Sequence, residues 1–250
     1  MRLLYGCAIF LGAFLLFAVE PMAAKQLLPA LGGSSAVWIT CLVFFQVALL
    51  LGYLYAHWLG RRPSAHSAVS LHIALLVVAA GLLIFGFRPD LSNAAAHPLT
   101  AIFRMLTLTI GLPFLLLSAT SPLLQLWLAR EKRSGVPWKL FALSNAGSLL
   151  ALVLYPSLIE PHLSLVVQRK AWACGFGVYA VVCALIAWRA RGAETVLPGQ
   201  VKTVPARSSS RARLLWFLLP AGAAIQLCAV TSHLSQNIAA IPLLWVLPLG

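Results

Sequence analysis

The chain is a succession of apolar runs, each close to the length that crosses a bilayer. The runs are Leu3–Val19, Val37–Leu59, Ala68–Phe87, Ile102–Leu128, Trp138–Ser164, Ala171–Trp188 and Leu214–Val230. A helix of ~20 residues rising 1.5 Å per residue spans the ~30 Å hydrocarbon core. Hydrocarbon offers no partner for backbone N–H and C=O groups, so such runs must close their hydrogen bonds internally as helices. The expectation is an all-α, polytopic integral membrane helical bundle with seven complete spans. The last stretch, Ile241–Gly250, is apolar but only ten residues long. At helical rise it covers ~15 Å, which is a partial eighth span.

The first run does not read as a cleaved secretory signal. Arg2 alone makes a thin basic flank, and the run leads into Glu20-Pro21 with no clear small-x-small cleavage site. An uncleaved helix with its far end near Lys25 is predicted, followed by the turn-rich segment PALGGSS at 29–35. The fourth run contains Pro113 and Pro122, each removing a backbone donor, so a kinked or broken helix is expected there. The fifth run, WKLFALSNAGSLLALVLYPSLIEPHLS, places Ser144, Asn145, Gly147 and Ser148 within one to two turns of its basic end. Small and polar residues in a span let a second helix approach closely and bond across. This predicts a tight, polar packing face, with Asn145 weighed between interhelical bonding and a ligand role.

Charge then sets orientation and excludes partners. The chain is 61% hydrophobic and 9% charged, against about 25% charged in soluble domains. The net charge of +13 lies in short clusters between the runs, not on one basic-aromatic face, so nucleic acid is excluded as a partner. With the N-terminus inside, Arg2, Arg61, Arg62, Arg130, Lys132, Arg133, Lys139 and the six basic residues of 189–213 face the cytoplasm. Lys25, Arg88, Arg104, Arg169 and Lys170 face outward, making thirteen against five. That asymmetry places the N-terminus in the cytoplasm. The segment 189–213, rich in Arg, Ser and Pro, reads as a flexible cytoplasmic linker. It divides a first six-helix bundle, 1–188, from the start of a second, 214–250.

The cysteines Cys7, Cys41, Cys174, Cys183 and Cys228 all sit in apolar runs without a CxxC, which argues for small buried hydrophobes and against a zinc site or disulfide framework. The tryptophans cluster near predicted helix ends, as in an interfacial belt. No metal or cofactor site is expected. Gly32-Gly33 and Gly175-Phe176-Gly177 lack the preceding strand that a nucleotide loop requires.

Three groups carry candidate chemistry. Glu20-Pro21 and Glu160-Pro161 recur at the outer ends of spans one and five. Proline biases the residue before it out of the α region, so both are expected to mark helix ends or breaks. Each glutamate is either a structural partner of Lys25, His162, Arg169 or Lys170, or an anchor for a cationic substrate. The third group, Thr231 to Asn237, brings His233, Gln236 and Asn237 together at the outer end of span seven. It reads either as a polar cap and loop facing water or as a coordinating, proton-carrying cluster. The candidate substrate-binding set is Glu20, Lys25, Asn145, Glu160, His233, Gln236 and Asn237.

The segments FAVEPMAAKQLLPALGGSS (17–35), FALSNAGSLLALVLYPSLIEP (141–161) and TSHLSQNIAAIPLLWVLPL (231–249) resemble bacterial membrane proteins in which a major-facilitator-like helical region is fused to a spermidine-synthase-like domain. The resemblance implies the bacterial inner membrane and a major-facilitator-like bundle. It also implies further spans and a soluble Rossmann-like transferase domain in complete members, of which this chain corresponds to the N-terminal membrane part. Aminopropyl transfer is assigned to no residue here. Gly60-Arg61-Arg62 is similar to the end of the major-facilitator loop signature, but His57 and Trp58 stand where its acidic residue and following Arg would fall. Two functions are expected to compete: a transport-like module binding a small cation such as a polyamine, and a membrane anchor or scaffold for a soluble transferase domain. Both have the lipid bilayer as surroundings.

Overall fold

The computed structural model describes residues 2–62, 65–86, 94, 96–132, 139–190 and 209–237. Among the described residues there is no strand. The helices are α1 (Arg2–Lys25), α2 (Leu28–Leu31), α3 (Ser35–Gly60), α4 (Ala65–Phe85), α5 (Pro98–Leu106), α6 (Leu112–Lys132), α7 (Lys139–Leu154), α8 (Glu160–His162), α9 (Leu165–Ala190) and α10 (Ser210–Asn237). Two wider π-helical turns, π1 (Thr107–Gly111) and π2 (Tyr155–Ile159), join α5 to α6 and α7 to α8. Seven of the resulting helices are long and apolar enough to cross a membrane: Leu3–Leu31, Ser35–Gly60, His66–Phe85, Pro98–Leu128, Lys139–His162, Leu165–Arg189 and Ser210–Val230.

The core forms around α1 and α6. Helix α1 packs most extensively on α7 and also lies against α6 and α9, while α6 packs on α3 and α4. Two glycines set how close these helices come. A side chain on Gly147 of α7 would meet the carbonyl oxygen of Phe10 at 2.6 Å. On Gly52 of α3 it would meet Ser118 Oγ at 1.7 Å and the Leu115 carbonyl at 2.8 Å. The buried face of α7 is Leu140, Gly147, Ala151 and Leu152. Only its centre, Gly147 and Ala151, is small as expected, and none of it is polar. Asn145 is exposed, and Ser148 Oγ turns back to the Asn145 carbonyl at 2.9 Å. The expected interhelical bond from Asn145 is absent among the described residues, because its position lies off the Gly147–Ala151 stripe.

Proline acts differently from expectation. Helix α1 continues through Glu20-Pro21 to Lys25. Glu160 is itself α-helical, at φ −63° and ψ −45°. Glu20 marks neither an end nor a break, because in apolar surroundings backbone groups kept in intrahelical bonds outweigh the steric bias, whereas Glu160 does mark a helix end, which follows two residues later at His162. Relief comes from the π turns. Pro156 lies within π2, and Pro113 follows π1 by two residues. Widening the helix by one residue makes room for a ring that would strike the carbonyl four positions back. The fourth span is thus continuous but π-bulged, and Pro122 stays inside α6.

Several boundaries also shift. Span six starts at Leu165, not Ala171, and α10 runs on to Asn237, so the segment from Thr231 is helix and not a loop. The segment PALGGSS is partly the short helix α2, ended by Gly32 at φ +72°, a value natural to glycine. Most of the predicted linker and all of Ile241–Gly250 lie outside the described residues. Trp38, Trp127 and Trp172 are buried in the core, whereas Trp58, Trp188 and Trp216 are exposed, so the tryptophans are not one belt. Trp138 and Trp245 lie outside the described residues. Cys41 and Cys183 are buried, but Cys7 and Cys174 are exposed.

Candidate functional site

Alternation of the helices brings the last turn of α1, the last turns of α4, the π1 turn and the first turns of α9 to one end of the bundle. Their meeting leaves a cavity of about 370 Å³. Lys25, Gln26, Thr109 and Arg169 supply its polar wall; Met22, Leu82, Leu83, Met105, Ile110, Leu165 and Trp172 supply most of the apolar one. A second cavity of about 220 Å³ lies beside it and is almost wholly apolar, with Tyr155 and Gln168 among its lining groups. Met22 and Trp172 line both.

Trp172 is fixed by donating its indole N–H to the Leu15 carbonyl at 2.9 Å, which ties α9 to α1. Beside it, the Tyr155 hydroxyl donates to Gln168 Oε1 at 3.0 Å, and Gln168 Nε2 donates to the Leu163 carbonyl at 2.8 Å. Every group of that chain has its partner, so π2 and the start of α9 form one rigid corner.

Lys25 and Glu160 make a salt bridge across 135 positions of sequence, with side chains 20% and 24% exposed. Lys25 ends α1, where a cation meets the negative pole of the helix. Glu160 lies near the end of the composite α7–π2–α8 helix, where its own charge is disfavoured, and Lys25 offsets that. Of the sequence-derived candidates, the structure brings these two together. Glu20 stands five residues before Lys25, half-buried, with no ion pair or side-chain hydrogen bond among the described residues, and it does not line the cavity. Asn145 faces outward on α7. His233 is exposed on α10, a helix whose main packing partner is α3. Gln236 and Asn237 belong to α10, but their side chains lie outside the described residues.

A second polar grouping, in mid-bundle, is not among the sequence-derived candidates. His72 of α4 is fully buried. The Tyr55 hydroxyl lies 3.0 Å from its Nδ1, and Cys183 Sγ 3.6 Å from its Nε2. One turn before Cys183, the Tyr179 hydroxyl lies 2.5 Å from Thr120 Oγ1 and also reaches the Leu116 carbonyl. The Trp127 ring meets His72 edge-on at 5.7 Å. These contacts lace α3, α4, α6 and α9 together. The one signal for them in the sequence is a histidine inside an otherwise uncharged apolar run. At the α3 terminus, the Arg62 guanidinium sits 3.9 Å over the Trp58 ring, a cation–π contact.

Among the described residues, no group of three or more His, Cys, Asp or Glu could hold a metal ion. No protein-family profile, no curated protein and no solved structure matches the chain.

Proposed function

We propose that this protein is a transport-like membrane module that binds a small molecule at the Lys25 end of its bundle. The observation that carries this reading is the cavity of about 370 Å³ between α1, α4, π1 and α9, apolar over most of its wall with a few convergent polar groups. That is the composition and size of small-molecule sites generally, which run ~300–1,000 Å³. A π turn on the cavity wall supports it, since such turns concentrate at functional sites. The segments resembling the spermidine-synthase fusions support a major-facilitator-like first bundle in a bacterial inner membrane. The thirteen-to-five distribution of basic residues supports a cytoplasmic N-terminus.

The geometry does not favour a polyamine-like cation held by both glutamates. Glu160 already faces Lys25, and Glu20 is outside the lining. The alternative reading, an anchor or scaffold for a soluble transferase domain, draws on α10. No residue of its Ser210–Val230 window is buried. An anchor needs such lipid-facing spans but has no use for a cavity with convergent polar groups.

Thermal unfolding of the purified protein, against a panel of amines, carboxylates, phosphates and sugars, tests the proposal. Binding to the folded state raises the midpoint with ligand concentration. The expected result is stabilisation by one chemical class, abolished by filling the cavity with Leu83→Trp. A flat response across the panel would leave the anchor reading in place.

A further inference from the structure

Resting on the reading of the cavity as a binding site, we infer that its ligand carries an anionic group, a carboxylate or a phosphate, seated between Arg169 and Lys25. The charges on the wall are those two cations, and among the described residues no carboxylate lines the cavity. Lys25 is partly neutralised by Glu160 from outside the lining. Arg169 has no carboxylate partner among the described residues, so its fork of N–H donors is available. Gln26 and Thr109 are neutral, and Thr109 Oγ1 already donates its proton to the Met105 carbonyl at 2.7 Å, so the charged groups carry the recognition. A polycation would meet the Arg169 charge and a Lys25 whose carboxylate partner is already engaged. A guanidinium and an ammonium on neighbouring helix ends instead suit an oxyanion, and the apolar walls suit a short hydrocarbon body.

The anion has two sources that share this chemistry: a soluble carboxylate or phosphate, and the phosphate of an anionic lipid headgroup. The test uses the full chain in nanodiscs at constant ionic strength, because screening alone alters weak charge effects. Succinate, inorganic phosphate and spermidine are titrated in phosphatidylcholine discs, and unliganded melting is compared between phosphatidylcholine and phosphatidylglycerol discs. The expected result is a midpoint rise with an anion, or in phosphatidylglycerol, and none with spermidine. A soluble-anion response assigns a soluble ligand; a phosphatidylglycerol response alone assigns a headgroup.

Arg169→Gln should weaken the response about tenfold or more, the loss of one charge-assisted contact. Arg169→Lys should restore part of it. Lys170→Gln, which removes the same charge one residue further on and outside the lining, should leave it intact. Equal losses in Arg169→Gln and Lys170→Gln would reduce the effect to surface charge and overturn the inference. Stabilisation by spermidine alone would overturn it while keeping the binding reading. Silence from these probes and from the amine and sugar panel would remove both.

Discussion

Replacing Gly147 by alanine should separate the two most extensively packed helices of the bundle. The added Cβ would sit 2.6 Å from the Phe10 carbonyl oxygen, whereas ordinary contact begins near 3.4 Å. The obstruction is backbone, so no side chain can swing away, and α1 must retreat from α7 by most of an ångström. A gap of ~0.5–1 Å forfeits a quarter to a half of the dispersion in each contact, at ~0.1–0.2 kcal/mol per atom pair. Over on the order of 40 pairs, that is about 2 kcal/mol. The gain in helix propensity on replacing glycine is about 1 kcal/mol at most, so the net effect is a loss. Gly177 of α9 is the internal control: a Cβ there meets nothing within 4 Å. Gly177→Ala should be neutral or slightly stabilising. Unfolding in mixed detergent micelles, followed by helical circular dichroism, measures both. Equal stabilities for the two variants would refute the claim that close backbone approach, and not glycine content, holds α1 on α7.

Gly52→Ala should be worse than Gly147→Ala, since it meets both Ser118 Oγ and the Leu115 carbonyl; if it folds normally by size-exclusion chromatography, the α3–α6 spacing is wrong. Glu160→Gln should lower stability by about 1–3 kcal/mol, since the pair is largely buried and Lys25 is left without its carboxylate. Glu20→Gln, which removes a half-buried carboxylate without a partner, should hold or raise it. Opposite signs from these two assays would reverse the assigned roles. Tyr179→Phe deletes the hydroxyl shared with Thr120 and should cost about 0.6 kcal/mol, the average for one hydrogen bond between membrane helices; a loss several times larger would show that the Tyr55–His72–Cys183 contacts depend on it.

The spans were legible in the sequence because hydrocarbon thickness imposes one length on all of them. Lys25 and Glu160 were legible as charges at the same end of the bundle, but not as a pair distinct from Glu20. Sequence places Glu20 and Lys25 five residues apart, and only the rotation of α1 turns Lys25, and not Glu20, toward Glu160 of α8. Asn145 misleads for the same reason: two residues from Gly147 is ~200° about the axis, the opposite side of the helix. Arg169 reads as a loop charge if span six begins at Ala171, but the helix begins at Leu165. A long basic side chain can start a span when its stem lies along apolar surface and its head reaches water. His72 is missing from the sequence-derived set because its partners come from three other helices, and no spacing along the chain announces them.

The π turns make the wall of the cavity sensitive to chain length. Each absorbs one residue more than an α-helix would, so the helices on either side keep their facing, whereas one residue added to or removed from plain α-helix turns what precedes it by ~100° about the axis. Removing one residue from Thr107–Gly111 should therefore close the bulge and leave Ile102, Met105 and Leu106 on the face they share with α3. The same deletion within α6, where no wide turn can take up the change, would swing that face by about a quarter turn. The two π turns are thus the places where these spans tolerate a missing residue, at the cost of the local shape of the wall rather than of the packing beyond it.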